Sequence, residues 1–333
     1  MKTNILKQLL FFSLICFIWS CSKKDSNDGG NSPSSGTNVY VCYWVHDPST
    51  DTESGFLWKN GKVTQLGNMA YDMYATGSDV YVAGNANNQP AIWKNGVLTV
   101  LNLNNHRGGE AYSVFVSGSD VYAAGHIYGP LTSNTPALWK NGILIPISTT
   151  RGFASSVFVS GSDVYVTGYL IPSITSSNSI PILWKNGIAT TLPYNVDGYA
   201  ESVFVSGSDV YVVGSSQNST GSEMPILWKN GVATTLSSDG YAESVLLSGT
   251  DVYVAGTTGT TAPVPTLWKN GVATKLSGTG MACSVFILGS DVYVGGSALS
   301  TNSQIPAPAF WKNGVLTQLS NIEGAAEDIL VTH

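Results

Sequence analysis

The sequence predicts an all-β protein, a seven-bladed β-propeller of four-stranded antiparallel blades. Three observations carry that expectation. The word "LWKNG" stands at residues 57–61, 138–142, 183–187, 227–231 and 267–271, and returns as "IWKNG" (92–96) and "FWKNG" (310–314), which makes seven copies. Two spacings inside the repeat never change while two others vary freely. The two ends of the chain supply complementary pieces of one repeat.

The chain opens "MKTNILKQLLFFSLICFIWSCSKKDSNDGGNSPSSG". Lys2 and Lys7 form a positive n-region, and Leu9 to Trp19 is an apolar run too short to span a bilayer comfortably. The run ends in "IWSC", which resembles the lipobox of bacterial lipoproteins. That resemblance implies a signal peptide over 1–20, with Cys21 diacylated as the mature N-terminus. It would make the protein a lipid-anchored member of the bacterial cell envelope, with the outer membrane as the expected address. The competing account is an ordinary secretory signal with an incidental cysteine. Residues 22–36 are Ser, Gly, Asn, Lys and Asp with one proline and no apolar side chain, so they cannot bury a core. With Cys21 they form a tether (21–36) of roughly 20 Å root-mean-square reach. The folded domain is expected over 37–333.

Each repeat contains four short runs, as in "AESVFV", "DVYVVG", "PILWKN" and "VATTL" of residues 200–236. They are rich in Val, Tyr, Phe, Ile and Trp and bounded by Gly, Ser, Asn or Asp, which is strand chemistry. We label them A to D. The Asn-Gly between C and D supplies the two positive-φ residues of a type I′ hairpin. The "SGSD" between A and B is a short glycine-containing loop whose Asp can bind backbone amides locally. Ser202 to Gly214 spans twelve residues, as does the matching interval in every intact A–B hairpin, and each repeat Trp stands eight residues before the Leu or Ile of strand D. The B–C interval instead runs from nine residues (Gly84 to Trp93) to sixteen (Gly168 to Trp184), and the D–A interval varies too. A solenoid would need atypical capping repeats. Here "NVYVCY" (38–43) matches strand B and "AAEDILVT" (325–332) matches strand A, so the last strand completes a blade with the first three.

In this scheme Trp58, Trp93, Trp139, Trp184, Trp228, Trp268 and Trp311 are plugs between neighbouring blades, the alternative being one sugar platform per blade gap. The lysines that follow them are expected to lie solvated at the outer edge. The unit also resembles the HAF-type extracellular repeat of bacteria, which carries a similar "LW-x-NG" hairpin. It departs in strand B, reading "SGSDVYVVG" where that family tends towards "N-x-x-G-x-V-V-G". The resemblance implies fold and export but transfers no site.

The invariant turns fall on one face of the disc and the variable connections on the other, where binding is expected. Strand A places Glu201, Glu243 and Glu327 at one equivalent position, occupied elsewhere by Tyr71, Tyr112, Ser155 and Cys283. These carboxylates form an arc near the channel mouth, either as solvated rim residues or as holders of a cation or a hydroxyl-rich ligand. His106, Arg107, His126 and Arg151 are expected opposite them, in connections of blades 3 and 4. With His46 there are three histidines on this face, but none shares a metal-ligand spacing with another. In blade 1, "YWVHDPSTDTESG" alternates the oxygens of Asp47, Ser49, Asp51 and Glu53, as calcium loops do, yet lacks the glycine and the closing glutamate of such loops. Calcium is therefore the one cofactor to consider, against a plain polar loop. Tyr43 and Trp44 replace small residues there and offer an aromatic platform.

A net charge of -6 excludes the basic face that a nucleic-acid partner requires. The chain holds two arginines, Arg107 and Arg151, and no "S-x-D-x-G-x-T-W" box, unlike sialidase-type propellers. It has no "G-x-S-x-G", "H-E-x-x-H" or P-loop either. The expected function is a monomeric binding module whose variable face meets a glycan or a surface protein. The alternatives are a carbohydrate-active hydrolase or lyase using those glutamates, and a structural spacer. Cys42 and Cys283 are read as buried thiols, with a disulfide as the alternative that export permits.

Overall fold

The computed structural model describes residues 36–129, 134–172, 178–299 and 304–333. The expected signal peptide, Cys21 and all of the tether except Gly36 lie outside the described residues. The described chain forms seven four-stranded antiparallel sheets, arranged as the blades of a propeller. Blade 2 shows the plan, with β4 (Met69–Thr76) innermost, then β5 (Asp79–Ala86), β6 (Gln89–Lys94) and an outermost β7 (Val97–Val100).

Blade 1 is built from both ends. Its inner strand is β28 (Gly324–Thr332), followed by β1 (Asn38–Asp47), β2 (Thr52–Lys59) and β3 (Lys62–Gln65). β28 pairs antiparallel with β1 from Asn38↔Thr332 to Val45↔Gly324, so the ring closes as the sequence predicts. Val41, Ile329 and Val331 are buried there.

The two turn motifs turn out to be halves of one clasp. In blade 5, Asn230 sits at φ 51 and its Oδ1 accepts from the Val210 N–H (2.8 Å), while its Nδ2 donates to Asp209 Oδ1 (2.9 Å). The other oxygen of Asp209 pairs with Lys229 (2.9 Å), whose ammonium lies 5.1 Å from the centre of the Tyr211 ring. Glycine follows Asn because the next residue also needs a left-handed backbone; Gly231 has φ 78. The same ion pair joins Lys94 to Asp79, Lys140 to Asp120, Lys185 to Asp163, Lys269 to Asp251 and Lys312 to Asp291. Five of these six lysines have half-exposed side chains, as the outer edge is expected to give, and the structure adds a fixed geometry to them. Each of these six is held between a carboxylate and a tyrosine face, locking the A–B turn to the C–D turn. Blade 1 has Asn38 in place of the Asp; Lys59 keeps only its contact with the Tyr40 ring, at 4.8 Å.

The tryptophans are packing residues. Trp93, Trp139, Trp184, Trp228, Trp268 and Trp311 are at most 2% exposed, which rules them out as sugar platforms. The apolar core divides into seven clusters, one per blade gap. In one, Tyr81 and Ile92 of blade 2 pack with Val114 and Trp139 of blade 3, and in another Tyr211 of blade 5 packs with Trp268 of blade 6. Trp58 fills the gap between blades 7 and 1 beside Phe310 and is only partly buried. Each indole buries a large apolar area, so every blade is held mainly by its predecessor.

Candidate functional site

The inner strands do more than line the axis. In blade 5 the pairing of β16 (Asp197–Ser206) with β17 (Asp209–Gln217) steps from Ala200↔Gly214 to Ser202↔Val213, leaving Glu201 unpaired in a β-bulge. A bulge turns its extra residue away from the ladder and re-aims the side chain. The same step leaves out Tyr71, Tyr112, Ser155, Glu243 and Cys283 in blades 2, 3, 4, 6 and 7, and Glu327 in blade 1. Glycine opposite the bulge permits the close approach. A Cβ on Gly214 would lie 2.0 Å from the Tyr199 carbonyl oxygen.

All seven bulge residues line one cavity of about 330 Å³ at the channel mouth, together with Phe153 and Tyr169. Two arcs face each other across it. Blades 2 to 4 present aromatic rings, Tyr71 against Tyr112 (centroids 4.9 Å apart) and Phe153 against Tyr169 (5.2 Å). Blades 5 to 1 present Glu201, Glu243, Cys283 and Glu327.

Below the mouth the next residue of each inner strand forms a second tier, Asp72, Ser113, Ser156, Ser202, Ser244, Ser284 and Asp328, around a chamber of about 130 Å³. This tier stitches neighbouring blades together. Asp72 Oδ2 accepts from the Val114 N–H (2.8 Å), Ser113 Oγ from Val157 (3.2 Å), Ser156 from Val203 (3.4 Å) and Ser202 from Val245 (3.3 Å). Ser284 Oγ accepts from Ile329 (3.3 Å) and Asp328 Oδ2 from Met73 (2.9 Å). Ser284 in turn donates to Asp328. Lower still, Tyr74, Phe115, Phe158 and Phe204 form a ladder of tilted rings with centroids 4.6 to 5.0 Å apart.

The carboxyls at the mouth are held towards their neutral forms. Burial, reinforced by the charges of Glu201 and Glu327, pushes Glu243 up to about 8. Burial raises Glu327 to about 7 against the indole N–H of Trp44, which donates to its Oε1 at 2.6 Å. Glu201 is also raised by burial, opposed by a hydrogen bond from Ser155. Asp328 is displaced well upwards by burial and then by Asp72. Burial and the nearby Glu327 and Glu243 lift the Cys283 thiol, and burial, followed by the Glu110 charge, lifts the phenols of Tyr71 and Tyr112. Tyr71 donates its hydroxyl to Glu110 at 2.7 Å.

The structure therefore brings Tyr71, Tyr112, Glu201, Glu243 and Glu327 into one site and adds Trp44 to it. It does not support the reading of the glutamates as plain solvated rim residues. Tyr43 goes elsewhere, buried and stacked on Phe56 (5.2 Å) in the gap between blades 7 and 1. His126 is not in a connection; it lies in strand β9 (Asp120–Tyr128), 2% exposed, against Tyr112 and Phe153. Burial depresses it to about 4, so it adds no positive charge. Arg107, exposed, and Arg151, half-buried, are not in the cavity lining, so the expected basic arc is replaced by the aromatic one.

The blade 1 loop stands apart. Asp47 is occupied locally, accepting from the Ser49 N–H (2.9 Å) and hydroxyl (2.7 Å). Asp51 has a 97% exposed side chain 3.8 Å from His46, and Glu53 is cross-strand to His46. Among the described residues no group of three or more His, Cys, Asp or Glu side chains is gathered to hold a metal. Cys42 and Cys283 are both free thiols, so the alternative of a disulfide is not met.

Sequence reasoning missed Phe153, Tyr169, Asp72 and Asp328. Asp72 and Asp328 were detectable, because their column reads Ser in the other five blades. Phe153 and Tyr169 stand on the blade 4 strands beside the bulge and carry no repeat signal.

No protein-family model matches the chain, and no curated protein does. Solved structures do. A Mycobacterium tuberculosis puromycin-hydrolysing peptidase superposes with a TM-score of 0.56 at 11% identity, over 85% of this chain and 51% of its own. A Pyrococcus horikoshii acylaminoacyl peptidase gives 0.50 at 12% identity, over 86% and 50%. The chain thus spans about half the length of these two enzymes. The β-propeller domain of the Trilobed protease from Pyrococcus furiosus, described as having an open velcro topology, gives 0.50 at 11% identity over 86% of this chain and 92% of its own. At such identities the likeness shows a shared fold, and the chain is a β-propeller.

Proposed function

We propose that the protein is an extracytoplasmic binding module that takes a glycan at the channel mouth. The observation that carries this reading is the cavity itself, in which an aromatic arc faces an arc of carboxyls on the face with the variable connections. Rings suit the apolar face of a sugar, and carboxyl oxygens suit its hydroxyls. The chain also enters the disc on the opposite face. The Val39 N–H donates to Asn60 Oδ1 (2.9 Å) in the C–D turn, so whatever precedes Thr37 joins at the clasped turns. The lipobox resemblance implies a lipid anchor at Cys21 in a bacterial outer membrane, which agrees with an extracytoplasmic module.

The test is a glycan panel read by calorimetry with the wild-type protein, Tyr112→Ala and Glu327→Gln. Binding weakened by both variants supports the reading, and binding indifferent to both removes the site from the mouth. A hydrolase or lyase remains the second reading, because Glu243 and Glu327, at about 8 and about 7, hold exchangeable protons near neutral pH. Product release from a bound glycan that Glu243→Gln abolishes would favour it.

A further inference from the structure

We propose that the mouth selects a ligand bearing an ammonium group, of amino-sugar size, with its charge among Glu201, Glu243 and Glu327 and its apolar face against Tyr112 and Phe153. This rests on the reading of the mouth as a ligand site and names the chemistry that site prefers.

The charge count points this way first. Three glutamates share one cavity, with Asp72 and Asp328 immediately beneath them, and no Lys or Arg is in the lining of either chamber. Six of the protein's lysines are committed to clasps with Asp on the opposite face. Among the described residues, no cation in the lining compensates these carboxyls. Glu327 is partnered by Trp44 and Glu201 by Ser155, but Glu243 accepts no hydrogen bond among the described residues. It stands recessed in the channel, between its two neighbours in charge. A neutral polyol could only donate a hydrogen bond to that group, whereas an ammonium would both donate to it and pair with its charge.

The arrangement also discriminates among cations. The glutamates sit on blades 5, 6 and 1, with Cys283 of blade 7 between them, so they surround a volume instead of converging on a point. No group of three or more potential ligands is close enough for a bare metal ion among the described residues. An ammonium carried on an organic frame fits a wider enclosure, and the frame finds the rings of the opposite arc, whose faces attract cations as well as apolar surface. A cavity of about 330 Å³ lies at the small end of small-molecule sites, which run from roughly 300 to 1,000 Å³. That is room for a sugar or a short amine and too little for a protein segment. The raised values of Glu243 and Glu327 agree, since a cation would draw both into their charged forms.

The experiment titrates the full protein with three probes: a β-1,4-linked glucosamine oligomer, its fully N-acetylated counterpart, and putrescine. The two cationic probes should bind and compete with each other, with the glucosamine oligomer at least tenfold tighter than the acetylated one. Glu243→Gln and Glu327→Gln should each erase most of that preference, and added salt should weaken the cationic probes more than the neutral one. Thermal unfolding confirms that both variants fold; if either does not, the salt series on the wild-type protein decides alone. The inference is overturned if the acetylated oligomer binds as well as the free amine, or if both glutamine variants keep the preference. In that result, neutral binding that Tyr112→Ala still weakens would leave the glycan reading standing. If no probe binds, the amine inference is overturned, and the glycan reading then depends on the wider panel.

Discussion

Replacing Glu243 by Gln should stabilise the protein in alkali and leave it nearly unchanged in acid. Burial and two like charges raise this carboxyl from 4.5 to about 8 in the folded state. A group raised on folding contributes stability that is fully present below its unfolded value and is lost as pH climbs through its folded one. The window is therefore about pH 4.5 to about pH 8. Taken without solvent, the displacement is a ceiling of about 5 kcal/mol. The mouth is open to water, which screens the charge, and about 2 kcal/mol is the expected measurable part. For a domain of this size that is about 4 °C in melting temperature. The assay is thermal unfolding of wild type and variant across this range. The wild-type midpoint should fall as pH rises, and the variant should fall less, melting about 4 °C higher at the alkaline end. Glu201 and Glu327 act in the same direction and will leave some slope in the variant. The clasp aspartates, lowered by their Lys and Asn partners, lose their contribution only in acid, outside this window. A flat wild-type profile, or a variant without alkaline gain, would refute the argument that Glu243 is held uncharged by its surroundings.

Deleting residues 324–333 removes the inner strand of blade 1, with buried Ile329, Leu330 and Val331. The loss is about 5–9 kcal/mol of burial plus the opened edge of β1, so the cooperative melt should vanish or drop sharply. Asn230→Ala should cost about 1–2 kcal/mol because alanine resists the left-handed backbone and donates nothing to Asp209, while Asn230→Gly should cost less; denaturant titration separates them. Gly214→Ala should destabilise strongly, or flatten the blade 5 bulge and lower ligand affinity, because its Cβ meets the Tyr199 carbonyl oxygen at 2.0 Å.

The fold was legible because the repeat carries it twice over. Fixed spacings reported two rigid hairpins, and the odd runs at 38–43 and 325–332 reported a shared blade. The clasp was not legible, although all its residues were in view. Asp209 and Lys229 are twenty residues apart, and only the register of the second strand against the third brings them together. The arc of glutamates was readable as a column of equivalent positions. Their seclusion was not, since it comes from the bulge, and a bulge leaves no mark in an apolar pattern. Tyr43 and Trp44, adjacent in sequence, part company because successive residues of a strand point to opposite faces. One fills a blade gap and the other reaches Glu327. Of the histidines and arginines expected in connections, His106, Arg107 and Arg151 lie there, but His126 does not, because a residue near a connection can still belong to a strand.

The bulge column has a consequence for how such a protein can change. Clasps fix the hairpins within each blade, indoles and the Ser/Asp tier hold each blade to the next, and none of them uses the side chain at the bulge. The seven positions now read Tyr, Tyr, Ser, Glu, Glu, Cys and Glu around the axis. A substitution at any of them rewrites one-seventh of the mouth while the frame that closes the ring stays as it was. The number of blades fixes how wide the opening is, and the column fixes what it prefers. Specificity is thereby uncoupled from architecture, and a duplicated copy of this gene could acquire a different ligand by a handful of replacements along a single ring.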